Sequence, residues 1–445
     1  DFGQNHVSAG ATFSMNSASS KSETQNQRQM YVVADAKYSY AGRYVAELVA
    51  QYAGSSRYEK GHRFAFFPQA GLTGQFDVFG TPYQYRSNYS YNGDMWYGPI
   101  SDQPSWFGTN RWISYKTTIN RLANHNLSWP KVFQTDLGID FDFLSLFSFK
   151  VNAYYKKIYD SIVNISSIIP GVYGLNNISL MDNYTAQSLR GMDVTFGYSQ
   201  TFGDFRVGAS LSATMYKSIY EKMTDDNWLY EYQKKTGTPV DAYWGYRCIG
   251  KYEDEDQLSS DPAISTAVKV GDLKYEDVNN DGRIDDNDKV NLGNTAPRLS
   301  YALNFTFGWK NLELNVVGTG RAGLKTAMTN SYFWNGWGDG NYSAFVRDNI
   351  GGAYPRLDYV HSDQNFVGSD FWLRNGSWFK IQSVELSYDL NLSPSSWIKG
   401  IKFSLKGQNL LTLSGIKDVD PECIDAGVTS YPLLRSVTGG VKLNF

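Results

Sequence analysis

The 445-residue chain has no run of eighteen or more consecutive apolar residues, so it encodes no transmembrane helix. A strand-built membrane wall needs none, because strands cross hydrocarbon with alternate side chains facing lipid. Cysteine is scarce. Cys248 and Cys423 stand far apart in expected loops, where they can pair in an oxidising compartment or stay as free thiols. The four histidines, His6, His62, His125 and His361, are scattered, with no HExxH, nucleophile elbow or zinc spacing, so the sequence does not read as an enzyme. Positive charge is not in excess either. A formal net charge of −3 argues against a nucleic-acid partner. The chain opens at Asp1 without Met, basic n-region or apolar h-region, and the expectation is a processed chain or a fragment of a longer protein.

What is abundant is aromatic residues, at 16%, beside 41 glycines, in a chain whose mean hydropathy is negative. Rings that favour an apolar–water boundary in an otherwise polar chain suit a membrane β-barrel. The alternation is clearest from 299 to 307, where Leu299, Tyr301, Leu303, Phe305 and Phe307 share one face and Ser300, Ala302, Asn304 and Thr306 the other. After a turn from Gly308 to Asn311 it resumes with Leu312, Leu314 and Val316. About fourteen such strands are expected, and helical periodicity is nowhere sustained. One of them, Trp378 to Tyr388, slips in phase near Gln382 and Ser383, as a bulge would make it. Along the chain the connections alternate. Short ones include Ala41 to Gly42, Asp142 to Leu146 and Gly308 to Asn311; long ones include Tyr91 to Lys131, Asp160 to Ser188, Lys217 to Pro297 and Arg321 to Ser377. Turns on one rim and long loops on the other is the pattern of outer-membrane barrels. Thr438, Gly440, Leu443 and Phe445 fit a carboxy-terminal outer-membrane signal.

Three motifs carry chemistry. Asp277, Asn279, Asp281, Gly282, Arg283, Asp285 and Asp288 have EF-hand loop spacing, with Arg283 at the backbone-carbonyl position and Asp288 in place of the usual Glu. A structural Ca²⁺ is expected there, with Mg²⁺ as the alternative ion and an acidic solvated turn as the plainer reading. Gly318, Gly320 and Gly323 spell G-x-G-x-x-G, but no helix follows, so glycines at the top of a strand are expected instead of a dinucleotide site. Trp96 and Trp106 in one long loop, with Trp334 and Trp337 in another, are candidate sugar-stacking residues; packing of the loops is the competing role. Tyr301, Phe307, Trp309, Trp378 and Trp397 read as an interfacial girdle.

The ordered segments from Tyr38 to Tyr58, Phe66 to Leu72, Asn124 to Lys131 (NHNLSWPK), LRGMDVTFGY, YWGYRCIGKY, DVNNDGRIDDND with GNTAPRLSYALNFTF, and YPLLRSVTGGVKLNF resemble the carboxy-terminal part of SusC-type TonB-dependent transporters of Bacteroidetes. The resemblance covers essentially the whole chain; Pro130 departs from it, where an acidic residue usually follows the Trp. It implies an all-β transmembrane antiparallel barrel of 22 strands around an amino-terminal plug, with about 14 of the strands lying in residues 1–445 and the plug not present in this sequence. It also implies an outer-membrane location and a SusD-like lipoprotein lid. Oligosaccharide or oligopeptide cargo would be imported through the TonB–ExbB–ExbD system by way of an amino-terminal region. A soluble or surface all-β glycan-binding protein is the alternative; a propeller glycosidase would need blade repeats, which are absent.

Overall fold

The computed structural model describes residues 5–18, 27–56, 58–78, 81–92, 102–105, 116–119, 121–122, 124–173, 179–225, 229–334, 343–349, 352–357, 362–392, 397–417, 419–424 and 433–444. Fourteen strands follow one another as hydrogen-bonded neighbours in chain order. They are β1 (Asn5–Ala18), β2 (Gln27–Tyr40), β3 (Tyr44–Ser55), β4 (Phe64–Val78), β5 (Thr81–Asn92), β6 (Lys131–Phe143) and β7 (Phe147–Asn164). The second seven are β8 (Ser179–Phe202), β9 (Phe205–Lys222), β10 (Leu299–Trp309), β11 (Leu312–Ala322), β12 (Trp378–Asn391), β13 (Gly400–Ser414) and β14 (Ser436–Asn444). The expected strand count is therefore met. β1 and β14 stand at the two ends of this order, each with one neighbour. Phe445, the end of the carboxy-terminal signal, lies outside the described residues.

Two compact units divide the chain: residues 1–193 with 216–229 and 234–240, and residues 194–215 with 230–233 and 241–445. In the first, strand pairing shows why one face suits lipid. Val7, Phe13 and Met15 on β1, Leu48 on β3 and Phe66 and Leu72 on β4 are all exposed, each more than half so. Such a contiguous apolar face is untenable in water and natural in hydrocarbon. The opposite face is polar and cross-compensated. Lys37 pairs Glu47 at 2.5 Å, and Lys150 stands opposite Asp140 in the ladder. Ala41 and Gly42 take left-handed backbone in the three-residue turn between β2 and β3, which the Arg43 N–H closes onto the Tyr40 carbonyl.

The second unit repeats the logic. Leu303 and Phe305 on β10 and Leu386 on β12 are exposed, while Glu385 faces Lys406 and Asp389 faces Lys402 across the β12–β13 ladder. The register shifts between Ile381 and Ser383, so the slip read from the sequence is a bulge. Glycines 318 and 320 are explained by ring packing: a Cβ at Gly318 would meet Phe379 at 2.7 Å, and one at Gly320 would meet Tyr301 at 2.4 Å. Tyr301 and Phe379 stack there, with ring centroids 6.1 Å apart.

Two expectations need correction. The connections after β7 and β9 are shorter than the sequence suggested, because β7 runs on to Asn164, β8 starts at Ser179 and β9 runs on to Lys222. Polar and charged residues such as Lys157 and Glu221 ended the visible alternation, yet Lys157 stays in the ladder opposite Phe133, and it forms an ion pair with Glu221 across the intervening β8. Trp378 is not in a lipid-facing girdle. It shares the parity of Lys380, is 6% exposed, and lies against Arg321 and Lys380.

Candidate functional site

The outer connections of the second unit form a body of their own. Short ladders join Ala242–Gly245 to Val290–Asn294, Cys248–Lys251 to Leu273–Tyr275, and Lys325–Ala327 to Leu373–Asn375. An aromatic cluster of Phe333, Tyr354, Phe366 and Trp372 packs with Met328, Val346, Ile416 and Ile424. Beside it, Tyr246, Leu273, Tyr275 and Ile284 form a second cluster. Rings dominate because the loops have few helices or strands with which to bury surface, and each aromatic side chain removes a large area from water.

Asp272 is the polar hub. At 1% exposure it accepts from the Lys269 backbone N–H, the Asn365 side-chain amide at 2.8 Å and the Arg356 guanidinium at 3.2 Å. Fully buried Gln364 and Asn365 complete the network through Leu273, and the Tyr275 hydroxyl donates to the Gln364 carbonyl. These bonds satisfy groups whose burial would otherwise be costly, and they knit the connection after β9 to the one after β11. Burial, helped by the Asp261 and Asp272 charges, pushes the Tyr252 hydroxyl up to about 12. Burial also pushes Tyr246 up to about 12, with the charges of Asp286, Asp285 and Asp288 adding to it. The same cause raises the Cys248 thiol, which packs against the second cluster; Cys248 and Cys423 are both free of disulfides.

The expected metal loop adopts a tightly wound turn. Asp277 accepts from the Gly282 N–H at 2.8 Å and the Asp281 N–H at 3.2 Å; Asp281 accepts from the Arg283 N–H at 2.9 Å and from the Asn279 amide at 3.0 Å. Asn280 and Gly282 supply the left-handed backbone that the bend requires. Asp285 caps a short 3-10 turn, and fully buried Asp288 accepts from the Val278 and Asp285 N–H groups, both at 2.8 Å. So Asp277, Asn279 and Asp281 are brought together, whereas both oxygens of Asp288 are engaged in closing the loop. Among the described residues, no three His, Cys, Asp or Glu side chains group as a metal site.

Of the candidate sugar-stacking residues, Trp96, Trp106 and Trp337 lie outside the described residues. Trp334 packs against Phe366 and Trp372, with ring centroids 5.8 and 5.9 Å away. What sequence reasoning missed is Lys380. This lysine is 1% exposed and is gripped by Asp420 at 3.1 Å and by Glu422, from the connection after β13. Its signal was a charged residue on the inward parity of a strand next to a bulge, with two acids forty residues on.

No family profile matches the chain. It is 23% identical over 459 residues to TonB-dependent receptor P26 of Formosa agariphila, covering 92% of this chain and 45% of that protein. Against TonB-dependent receptor SusC of Bacteroides thetaiotaomicron it is 23% identical over 461 residues, covering 92% and 43%. A solved structure of the RagAB peptide importer in its open-open state matches with a TM-score of 0.68 at 17% identity, covering 95% of this chain and 47% of that one. The chain thus spans less than half the length of the curated relatives it matches. The fold is that of a transmembrane β-barrel of the TonB-dependent transporters, placed in the outer membrane. In sequence, the similarity over 92% of this chain is to TonB-dependent receptors that include SusC.

Proposed function

We propose that this chain is the carboxy-terminal wall and outer-loop portion of a TonB-dependent importer. Residues 1–445 serve as one stretch of that barrel, and a SusD-like lipoprotein closes over the outer loops. The observation that carries the reading is the pairing of a one-sided apolar strand order with an interlocked outer body built on the Asp272 hub. A rigid outer body is what a lid needs to close against. Cargo is an oligopeptide or an oligosaccharide, with energy supplied through TonB–ExbB–ExbD by an amino-terminal region. Ca²⁺ at Asp277, Asn279, Asp281 and the Arg283 carbonyl has a structural role, since nothing beside it offers a reacting group. Deletion of the gene followed by growth on defined oligopeptides or oligosaccharides as sole nutrient, with and without complementation, tests the importer reading. Loss of growth on one cargo class, restored by the intact gene, supports it. Unchanged growth and uptake on both classes overturns it.

A further inference from the structure

The first unit carries a cleft of about 420 Å³ that the import reading does not use, lined by Gly61, His62, Phe64, Phe66, Asn126, Ser128, Trp129 and Lys131. Its position follows from strand parity. Lys131 lies on the face of β6 that also carries Thr135, Leu137 and Phe141, all exposed, and it therefore tops the lipid-facing stripe. Opposite it in the ladder is Tyr159, and one step lower Phe133 packs against Tyr155 with ring centroids 6.3 Å apart. On the other side of the cleft, Phe64 and Phe66 are each at least half exposed, and Phe64 stacks on Tyr52 at 5.4 Å with the rings only 4° from parallel. Through β5 the registers align Leu72 with Leu137, which sets Phe66 level with Lys131, so Phe64 and Phe66 flank the donors while Phe133, Leu137 and Phe141 continue the apolar face below them, as at a level where hydrocarbon gives way to headgroups.

The donors are numerous and their acceptors few. Trp129 packs on Tyr58 and Phe67, and its indole N–H is buried without an acceptor among the described residues. A buried donor of this kind calls for a partner, and the cleft that Trp129 lines is where one can be offered. Lys131 gives one bond to Asp160 at 2.6 Å, and an ammonium has three hydrogens to give. The turn above β4 adds Lys60 and Arg63, and exposed Arg28 lies one strand away, its backbone N–H bonded to the Ser56 hydroxyl. Against these four cations stand three acids: Glu59, engaged by His125 at 3.1 Å, Asp160, and Asp182, which accepts from the Asn124 amide at 3.2 Å. The rim is therefore cationic, donor-rich and continuous with the lipid face.

We infer that this cleft binds the phosphate-bearing headgroup of an outer-leaflet lipid, with the phosphate on Lys131 and the Trp129 indole N–H, flanked by Phe64 and Phe66, and the acyl chains running down past Phe133, Leu137 and Phe141. A lipid-borne anion fits better than a free one because the apolar wall below the donors is continuous with the cleft. The test uses the full-length transporter in mild detergent, exchanged into a diphosphorylated diglucosamine lipid or the same lipid with both phosphates removed, with bound lipid counted by native mass spectrometry. Retention of the phosphorylated lipid at least tenfold above its dephosphorylated form is expected. Lys131→Gln should remove most of that preference, and Trp129→Phe, which keeps the ring packing and deletes only the N–H, should lower it several-fold. Equal retention of the two lipids, or no loss of preference in either variant, overturns the inference. Displacement of the lipid by millimolar inorganic phosphate would also overturn it, since the site would then be reading a soluble anion.

Discussion

Replacing Lys380 by Met should free the segment from Gly415 to Ile424 while leaving the strands folded. The lysine side chain is 1% exposed, whereas those of Asp420 and Glu422 are 20% and 32% exposed. Breaking a fully buried ion pair costs roughly 3–5 kcal/mol, and breaking an exposed one about 0.2–1. With the lysine gone, the two carboxylates can be hydrated where they stand, so the loss lies between those limits, at about 1–2 kcal/mol. That is roughly a tenfold rise in the open population, at about 1.4 kcal/mol per decade. Neutralising the acids instead, by Asp420→Asn with Glu422→Gln, leaves an ammonium at 1% exposure without a counter-charge and should cost about 3–5 kcal/mol. The segment carries its own probe. Cys423 is partly buried, and its backbone N–H bonds to the Asp420 carbonyl, so its alkylation rate, followed by peptide mass spectrometry, reports opening. Heat-modifiable gel mobility reports the barrel. The order expected is wild type slowest, then Lys380→Met, then the double acid variant, all with a folded barrel. If Lys380→Met alkylates within twofold of wild type, or the acid variant is no faster than Lys380→Met, the clamp reasoning is wrong.

Gly320→Val places carbon 2.4 Å from the Tyr301 ring and should destabilise by about 1–3 kcal/mol, as overpacking does, lowering the heat-modification midpoint; Gly439→Ala, with nothing within 4 Å, should not. Asp225 accepts from the Lys235 and Thr236 N–H groups, both at 3.0 Å. Burial alone would raise its carboxyl, but a hydrogen bond from the Thr236 side chain, with those two backbone bonds and the Lys235 charge, outweighs it and holds the group below its ordinary value. A depressed carboxyl contributes stability that is complete above the unfolded-state value and is lost as pH falls through the folded one, so protease protection of residues 223–240 should fall only in that acid range. Asp225→Asn should flatten the profile; a profile identical to wild type would refute the assignment. Asp277→Ala with Asp281→Ala should abolish calcium-dependent protection of residues 277–288 while barrel mobility is unchanged, and protection insensitive to a chelator in the wild-type protein would remove calcium from the account.

The strands were legible because their physics is local. A two-residue period over nine or more residues, with rings on one side, has one membrane-compatible reading, and the turns expected at Ala41 to Gly42 and Gly308 to Asn311 contain left-handed backbone at Ala41, Gly42 and Lys310. Strand height above the membrane was not legible. Once a strand leaves hydrocarbon its outward face no longer needs apolar residues, so the alternation fades at Tyr155 although hydrogen bonding continues to Asn164. The loop body was hidden for a different reason. Asp272 contacts Arg356 and Asn365 across more than eighty residues, and no spacing rule links a lone aspartate to partners at that distance.

The NHNLSWP segment shows where local and long-range information meet. Asn124 bonds the Met181 carbonyl, Asn183 clasps Ser128 through both its amide atoms, and Leu127 is buried, so the motif fastens the chain before β6 onto the start of β8. Asn183 also donates to the carbonyl of Asp160, a non-glycine residue held in left-handed backbone near the outer end of β7. Such backbone costs of order 1–3 kcal/mol and persists only where its surroundings hold it; here the Lys131 ion pair and the Asn183 bond do so. An acidic residue at position 130 would bring another negative charge to the chain between Lys131 and Trp129. Proline instead fixes the backbone dihedral there and leaves Lys131 to divide its donors between Asp160 and whatever anion the cleft admits. Converting Pro130 to Glu should therefore weaken retention of a phosphorylated lipid without disturbing the Trp129 packing.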